Sequence, residues 1–378
     1  MRTVRFNARS SSSLFAVSVL FILFAACSSD DPVQPAAKSV LEEQLTQLVE
    51  QHKIPGAVGI VVQHDKIMEL RAHGLRRAGH PDTVTVHDLF HIGSIGKSMT
   101  STMIATLVEG NTLSWDSRPA DIIPDLSASL DPGYDGITLL DLLHHRAGVP
   151  SDDDITEVPT LSGSLAEQRL QATQILLAMP PVVSRGTFRY SNAGYMIAGC
   201  MAEVATGQNW RTLMNSRLFD PLSMDVFYGW PTQHDPAEPW GHEQAGEAFQ
   251  SVDPSADPAE LMFLEPAGFI SMSLSDLGKF MQLHLDALEG RPRLLSQASF
   301  DILHAPVDNY YACGFVVQQS ANGEFLWHNG SNNYFYVIMG LLPEKDLGVA
   351  IAVNAGGDAV QLLVDQALSD VLDGMAGK

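Results

Sequence analysis

Positive charge is scarce in this chain: 22 Lys plus Arg stand against 44 Asp plus Glu in 378 residues, a formal net charge of −22. A surface of that sign repels phosphate backbones and anionic headgroups, which argues against a nucleic acid partner. Cysteine is equally sparse. Three thiols cannot build a disulfide scaffold, and Cys200 and Cys313, each in an apolar context, read as buried free thiols. No internal repeat or low-complexity tract follows the first few tens of residues, so solenoids and disordered tails are excluded. The first apolar run, residues 14–26, falls short of the ~20 residues that span a bilayer. What is present is an ordinary 45% hydrophobic fraction, enough for one large domain or two interlocked lobes.

Residues 1–26 read as an address. Arg2, Arg5 and Arg9 precede the apolar run, as in a secretory signal peptide. The run ends Leu23-Phe24-Ala25-Ala26-Cys27, which resembles the bacterial lipoprotein cleavage box with a bulky Phe24 as its departure. The expectation is cleavage before Cys27, lipidation of that thiol, and attachment to a membrane through the lipid anchor. A plain secretory signal giving a soluble periplasmic protein is the alternative. Ser28 and Ser29 follow, not the Asp that retains bacterial lipoproteins at the inner membrane. The expected location is therefore the bacterial cell envelope, at the outer membrane facing the periplasm. Residues 27–37, with their two prolines, form a linker.

From residue 38 the pattern is that of a folded body. Residues 40–52 have helical spacing; residues 57–62 and 67–73 make a β-hairpin around His64-Asp65-Lys66. Residues 94–109 read as a helix starting at Ser94 and closed by Gly110. Helical segments follow at 138–144, 164–177, 193–205 and 210–218. Four β-rich runs then appear at 313–318, 324–328, 334–342 and 347–353, and an amphipathic helix at 358–372 ends the chain. Early strands, a helical middle and late strands predict an α+β fold with one sheet completed by both ends of the chain.

Three short segments carry chemistry. In His91-Ile92-Gly93-Ser94-Ile95-Gly96-Lys97-Ser98, a helix beginning at Ser94 sets its hydroxyl at the positive dipole end. Lys97, at i+3, lies on the same face. Serine becomes a nucleophile when a neighbouring group accepts its proton, and a desolvated neutral lysine does so. Two other readings fail here. A phosphate loop needs glycine where His91 stands, and His87-Asp88-Leu89-Phe90-His91 lacks the glutamate of a zinc-protease helix, so no metal is expected. In Tyr190-Ser191-Asn192, Tyr190 is a candidate general base or a buried tyrosine beside a cap, and Asn192 a group that holds a substrate carbonyl or orients Lys97. In His328-Asn329-Gly330-Ser331, Gly330 allows close approach of a substrate to a strand edge, and the Ser331 N–H pairs with that of Ser94 as a candidate oxyanion hole. His328 is a positive or hydrogen-bonding group acting on Lys97.

In this order the segments resemble the S-x-x-K, Y-x-N and H-x-G motifs of the β-lactamase-related serine hydrolases: class C β-lactamases, D-alanyl-D-alanine carboxypeptidases, D-aminopeptidases and certain esterases. Ile54-Pro55-Gly56, Leu142-Leu143-His144-His145-Arg146-Ala147-Gly148-Val149-Pro150, Pro221-Leu222-Ser223-Met224 and Pro266-Ala267-Gly268 extend the resemblance over nearly the whole of residues 38–378. It implies an α/β lobe (38–116 and 261–378) with an antiparallel five-stranded sheet, a mainly helical lobe (117–260), and a site between them. It implies an acyl-enzyme on Ser94, proton transfer shared by Lys97 and Tyr190, substrate contact by Asn192, a site wall from His328 and Gly330, oxyanion N–H groups from Ser94 and Ser331, and no metal or organic cofactor. The substrate class is an ester, D-amino-acid peptide or lactam. His328 in place of lysine points to the peptidase and esterase branches ahead of β-lactamase activity. A non-catalytic ligand sensor using the same pocket is the reading from another class. The loops at residues 151–157 and 249–260 are expected to set the substrate.

Overall fold

The computed structural model describes residues 38–151, 161–246, 248–253, 259–308 and 310–376. The address, Cys27 and the linker lie outside the described residues, as do most of residues 151–157 and part of residues 249–260. From Lys38 onward the chain forms one compact unit.

Its centre is a six-stranded antiparallel sheet. The strands are β1 (Gly56–Gln63), β2 (Lys66–Gly74), β3 (Val316–Ser320), β4 (Gly323–Ser331), β5 (Tyr336–Leu342) and β6 (Leu347–Val353), in the order β2-β1-β6-β5-β4-β3. All six β-rich runs of the sequence therefore pair, and the five strands implied by family resemblance become six. The sixth is the short edge strand β3, held to β4 from Val316 opposite Trp327 to Ser320 opposite Gly323. The central strands are apolar at consecutive positions because the sheet is buried on both faces. Val58, Ile60 and Val62 of β1 join one core with Ala350, Ala352, Val337 and Met339, while Ala57 and Val61 join the other with Val349, Ile351 and Ile338. A period of two does this sorting.

Helices α1 (Val40–Thr46) and α6 (Asp358–Ala376) close the second core, through Leu41, Leu45, Val360, Val364 and Leu368. The first core is closed by α2 (Gly96–Glu109), α3 (Leu165–Leu177), α4 (Asn192–Thr206) and α5 (Leu274–Leu288). Ser39, Ser164, Ser191 and Ser273 cap α1, α3, α4 and α5, each accepting a backbone N–H of the first turn. Cys200 and Cys313 are buried and unbridged.

One buried ion network fixes the elements behind the site. Arg169 of α3 donates to both carboxylate oxygens of Glu203 on α4, at 2.9 and 2.6 Å, and to Glu265 at 3.4 Å. All three are buried, and Glu265 sits in the 3-10 segment Ala259–Ala267. Removing Arg169 leaves buried Glu203 with the Trp210 N–H at 2.7 Å but no counter-charge among its described partners, while Glu265 keeps Arg211 at 2.9 Å. Arg169→Met is therefore expected to cost about 3–5 kcal/mol of stability, read as a lower urea midpoint at unchanged slope; an unchanged midpoint would refute it.

Candidate active site

The chain leaves the two-residue strand Phe90–His91 and turns through Gly93 at φ +49°. Ser94 sits in a 3-10 turn, Gly93–Ile95, and the regular helix starts at Gly96. The predicted helix start thus moves by two residues, because glycines at 93 and 96 let the turn tighten where other backbone crowds it. A Cβ on Gly96 would meet the Gly268 backbone at 3.2 Å, and one on Gly93 would lie 2.5 Å from the Ser331 nitrogen. Conversely, a Cβ on Gly330 would lie 1.9 Å from the Ile92 carbonyl and 2.7 Å from the Ser94 nitrogen. Glycine at these positions lets β4 touch the serine turn. The Ser94 N–H lies in a first turn, where a helix supplies it no acceptor.

Lys97 is fully buried directly below. Its Nζ donates to Asn192 Oδ1 at 2.6 Å and to the Ala267 carbonyl at 2.9 Å, and stands 2.8 Å from Ser94 Oγ. Asn192 and Ala267 present oxygens that only accept. Two amine hydrogens satisfy them, and the third direction points at the serine hydroxyl. A neutral amine in this cage would aim its lone pair at Ser94. Of the two sequence readings of Asn192, its contact is the one that orients Lys97.

Tyr190 closes the top, its ring 4.8 Å from Lys97 Nζ. Behind it stands His145, ring centroids 4.3 Å apart. His145 accepts the Ser191 N–H at Nδ1, 3.1 Å away, which fixes its proton on Nε2. Burial, then the Lys97 charge, holds its pKa well below 6.5. His328 is likewise neutral: burial first, then Lys97, pushes it down to about 3. Its Nδ1 donates to the Asn329 carbonyl at 2.6 Å, so its Nε2 accepts the Tyr311 hydroxyl at 3.0 Å. The positive His328 entertained from sequence is therefore replaced by a neutral, hydrogen-bonded one.

Two cavities meet at Ser94 and Ser331. The larger, about 380 Å3, takes in Phe188, Tyr190, Tyr310, Tyr311, Trp327, His328 and Gly330. The smaller, about 200 Å3, takes in His91, Asn192, Leu264, Gly268, Phe269 and Asn332. Because β3 begins at Val316, opposite Trp327, no strand among the described residues covers the β3 side of residues 328–331. Six of the seven residues singled out in the three motifs line these cavities, and the seventh, Lys97, lies beneath Ser94. Sequence reasoning assigned no role to His145, Tyr311 or the Ala267 carbonyl. His145 was within reach, since it stands in the Leu142–Pro150 segment that carries the family resemblance. Among the described residues no group of three His, Cys, Asp or Glu is placed to hold a metal.

This fold is that of the penicillin-binding protein and β-lactamase class. A model of the Beta-lactamase family matches residues 41–370, so the chain belongs to that family, whose members are serine hydrolases. Penicillin-binding protein 4 of Amycolatopsis lactamdurans is 26% identical over 342 residues, covering 86% of this chain and 87% of its own. Unguisins hydrolase ungD' of Aspergillus campestris is 25% identical over 356 residues, covering 86% of this chain and 64% of its own longer length. Two solved structures share the fold. A class C beta lactamase from Rhodobacter sphaeroides has a TM-score of 0.71 at 20% identity, over 89% of this chain and 99% of that one. SurE has 0.72 at 22%, over 90% and 75%.

Proposed function

We propose that this protein is an exported hydrolase that cleaves an ester or D-amino-acid peptide carbonyl through an acyl-serine at Ser94. The observation that carries this is Lys97 Nζ, 2.8 Å from Ser94 Oγ while bonded to two obligate acceptors. In the forward step Ser94 Oγ bonds to the carbonyl carbon and its proton passes to Lys97. The tetrahedral oxyanion is received by the N–H groups of Ser94 and Ser331. The carbonyl–leaving group bond then breaks, and the leaving oxygen or nitrogen takes a proton relayed through Lys97 and Tyr190. Water attacks the acyl-serine with the same groups reversed, restoring the Ser94 hydroxyl. His145 and Tyr311 hold Tyr190 and His328 in place and stay neutral.

The names of similar proteins fit this reading: a penicillin-binding protein, a hydrolase, and SurE, also solved with D-Leu. Lipidation at Cys27 and residence in the cell envelope, facing the periplasm, belong to the same proposal and rest on the first 27 residues. Intact-mass spectrometry after brief exposure to a penicillin, and separately to a p-nitrophenyl ester, tests the nucleophile. A mass increase or product release that vanishes in Ser94→Ala is expected. Tight reversible binding without an adduct or turnover would favour the ligand-sensor reading.

A further inference from the structure

Neither cavity at Ser94 is lined, among the described residues, by any Asp, Glu, Lys or Arg. The two histidines there are uncharged near neutral pH, burial holding His91 at about 4 and His328 at about 3. Lys97 lies beneath Ser94, engaged with three oxygens. Two arginines close in sequence to the site are engaged with other groups. Arg146 packs beneath Phe188, 5.9 Å from its ring, donates to the Gly186 carbonyl and pairs with Asp308 at 2.8 Å, while Arg189 donates to Ser151 at 3.1 Å. A substrate carboxylate held here would lose its water without gaining a counter-charge from any described lining residue. The chain's formal charge of −22 repels anions further.

What the larger cavity offers instead is aromatic surface. Phe188 meets Tyr310 edge-to-face at 5.4 Å and Tyr311 at 5.8 Å, with Trp327 also in the wall. Tyr311 is buried and anchored on His328, but Tyr310 is 48% exposed. A partly exposed aromatic pair beside a reactive centre gains by being covered with an apolar group.

We infer that the substrate carries no carboxylate on either side of the scissile carbonyl and bears an aromatic or bulky apolar group that packs against Phe188 and Tyr310. An ester, or a peptide bond remote from a free carboxyl end, fits; a dipeptide with a free carboxyl terminus does not. This rests on Ser94 as the nucleophile. The test uses p-nitrophenyl 4-phenylbutyrate, p-nitrophenyl acetate and the mono-p-nitrophenyl ester of glutaric acid, with acetyl-D-alanyl-D-phenylalanine compared as free acid and amide. A fluorophosphonate checks Ser94 labelling independently by mass. The phenylbutyrate ester is expected to exceed the glutarate ester in kcat/KM by about a hundredfold and the acetate by about tenfold. The peptide amide is expected to outrun the free acid. Phe188→Ala should shrink the phenylbutyrate-to-acetate ratio to about threefold or less. Labelled Ser94 with equal or faster cleavage of the glutarate ester or of the free acid overturns the inference alone. Absence of labelling and of turnover overturns the nucleophile assignment and the inference together.

Discussion

Ser94→Ala and Lys97→Met are each expected to lower kcat by at least about ten-thousandfold, and the double variant to be no slower than either alone. The reason is that the two side chains act on one proton. Without Lys97, Ser94 has nowhere at 2.8 Å to send it; without Ser94, the amine has nothing to deprotonate. Methionine fills most of the space of the lysine stem but leaves Asn192 Oδ1 and the Ala267 carbonyl without their donor, so thermal unfolding should accompany the kinetics. Burst kinetics with a p-nitrophenyl ester separate the steps. If Lys97→Met stays within tenfold of the parent while Ser94→Ala is dead, the proton goes to Tyr190, and Tyr190→Phe would then carry the loss.

The second large effect is on acid stability. Burial lowers four histidines far below their ordinary value, His91, His242 and His304 to about 4 and His328 to about 3. Each binds its proton more weakly folded than unfolded, where the ordinary value is near 6.5. The unfolded chain therefore takes up more protons as pH falls. Stability is fully present above pH 6.5 and is lost between 6.5 and about 4. At pH 5.5 each group costs on the order of 1 kcal/mol, so the four together remove several kcal/mol, a large part of the roughly 5–15 kcal/mol that holds a typical domain. His145 and His284 are shifted in the same sense, chiefly by burial. Glu238, Asp286 and Asp365, raised mainly by burial, work in the opposite sense. Urea unfolding at pH 7.5 and 5.5 should show the midpoint falling sharply with proton uptake by the unfolded state; equal midpoints would rule this out.

Local signals in the sequence reached far into this molecule. The β-runs and most helices were legible because periodicity and caps act over a few residues: Ser164 and Ser191 stand where their helices begin. Lys97 was legible for the same reason, three positions from Ser94. Less visible was whatever depends on segments meeting from afar. The turn at Ser94 tightens because Gly268 and Gly330 press on it. The helices read at 40–52 and 210–218 finish in wider π-helical turns, Gln47–Gln51 and Asn215–Phe219, a choice made by packing. The carbonyl that cages Lys97 belongs to Ala267, and no side-chain pattern announces a backbone oxygen. The aromatic wall joins Phe188 to Tyr310 across more than a hundred residues of sequence, and neither stands in a motif.

The order of the sheet also dictates when reactivity can arise. Strand β1, made early, connects to β5 only through β6, the last strand synthesised, and the Ser94 turn reaches its working shape only when Gly268 and Gly330 close on it. A nascent chain therefore carries the serine and the lysine without the surroundings that sharpen them. Assembly from such distant partners is slow in its own right. On the proposed function, the site would stay silent until the late strands have joined the early ones.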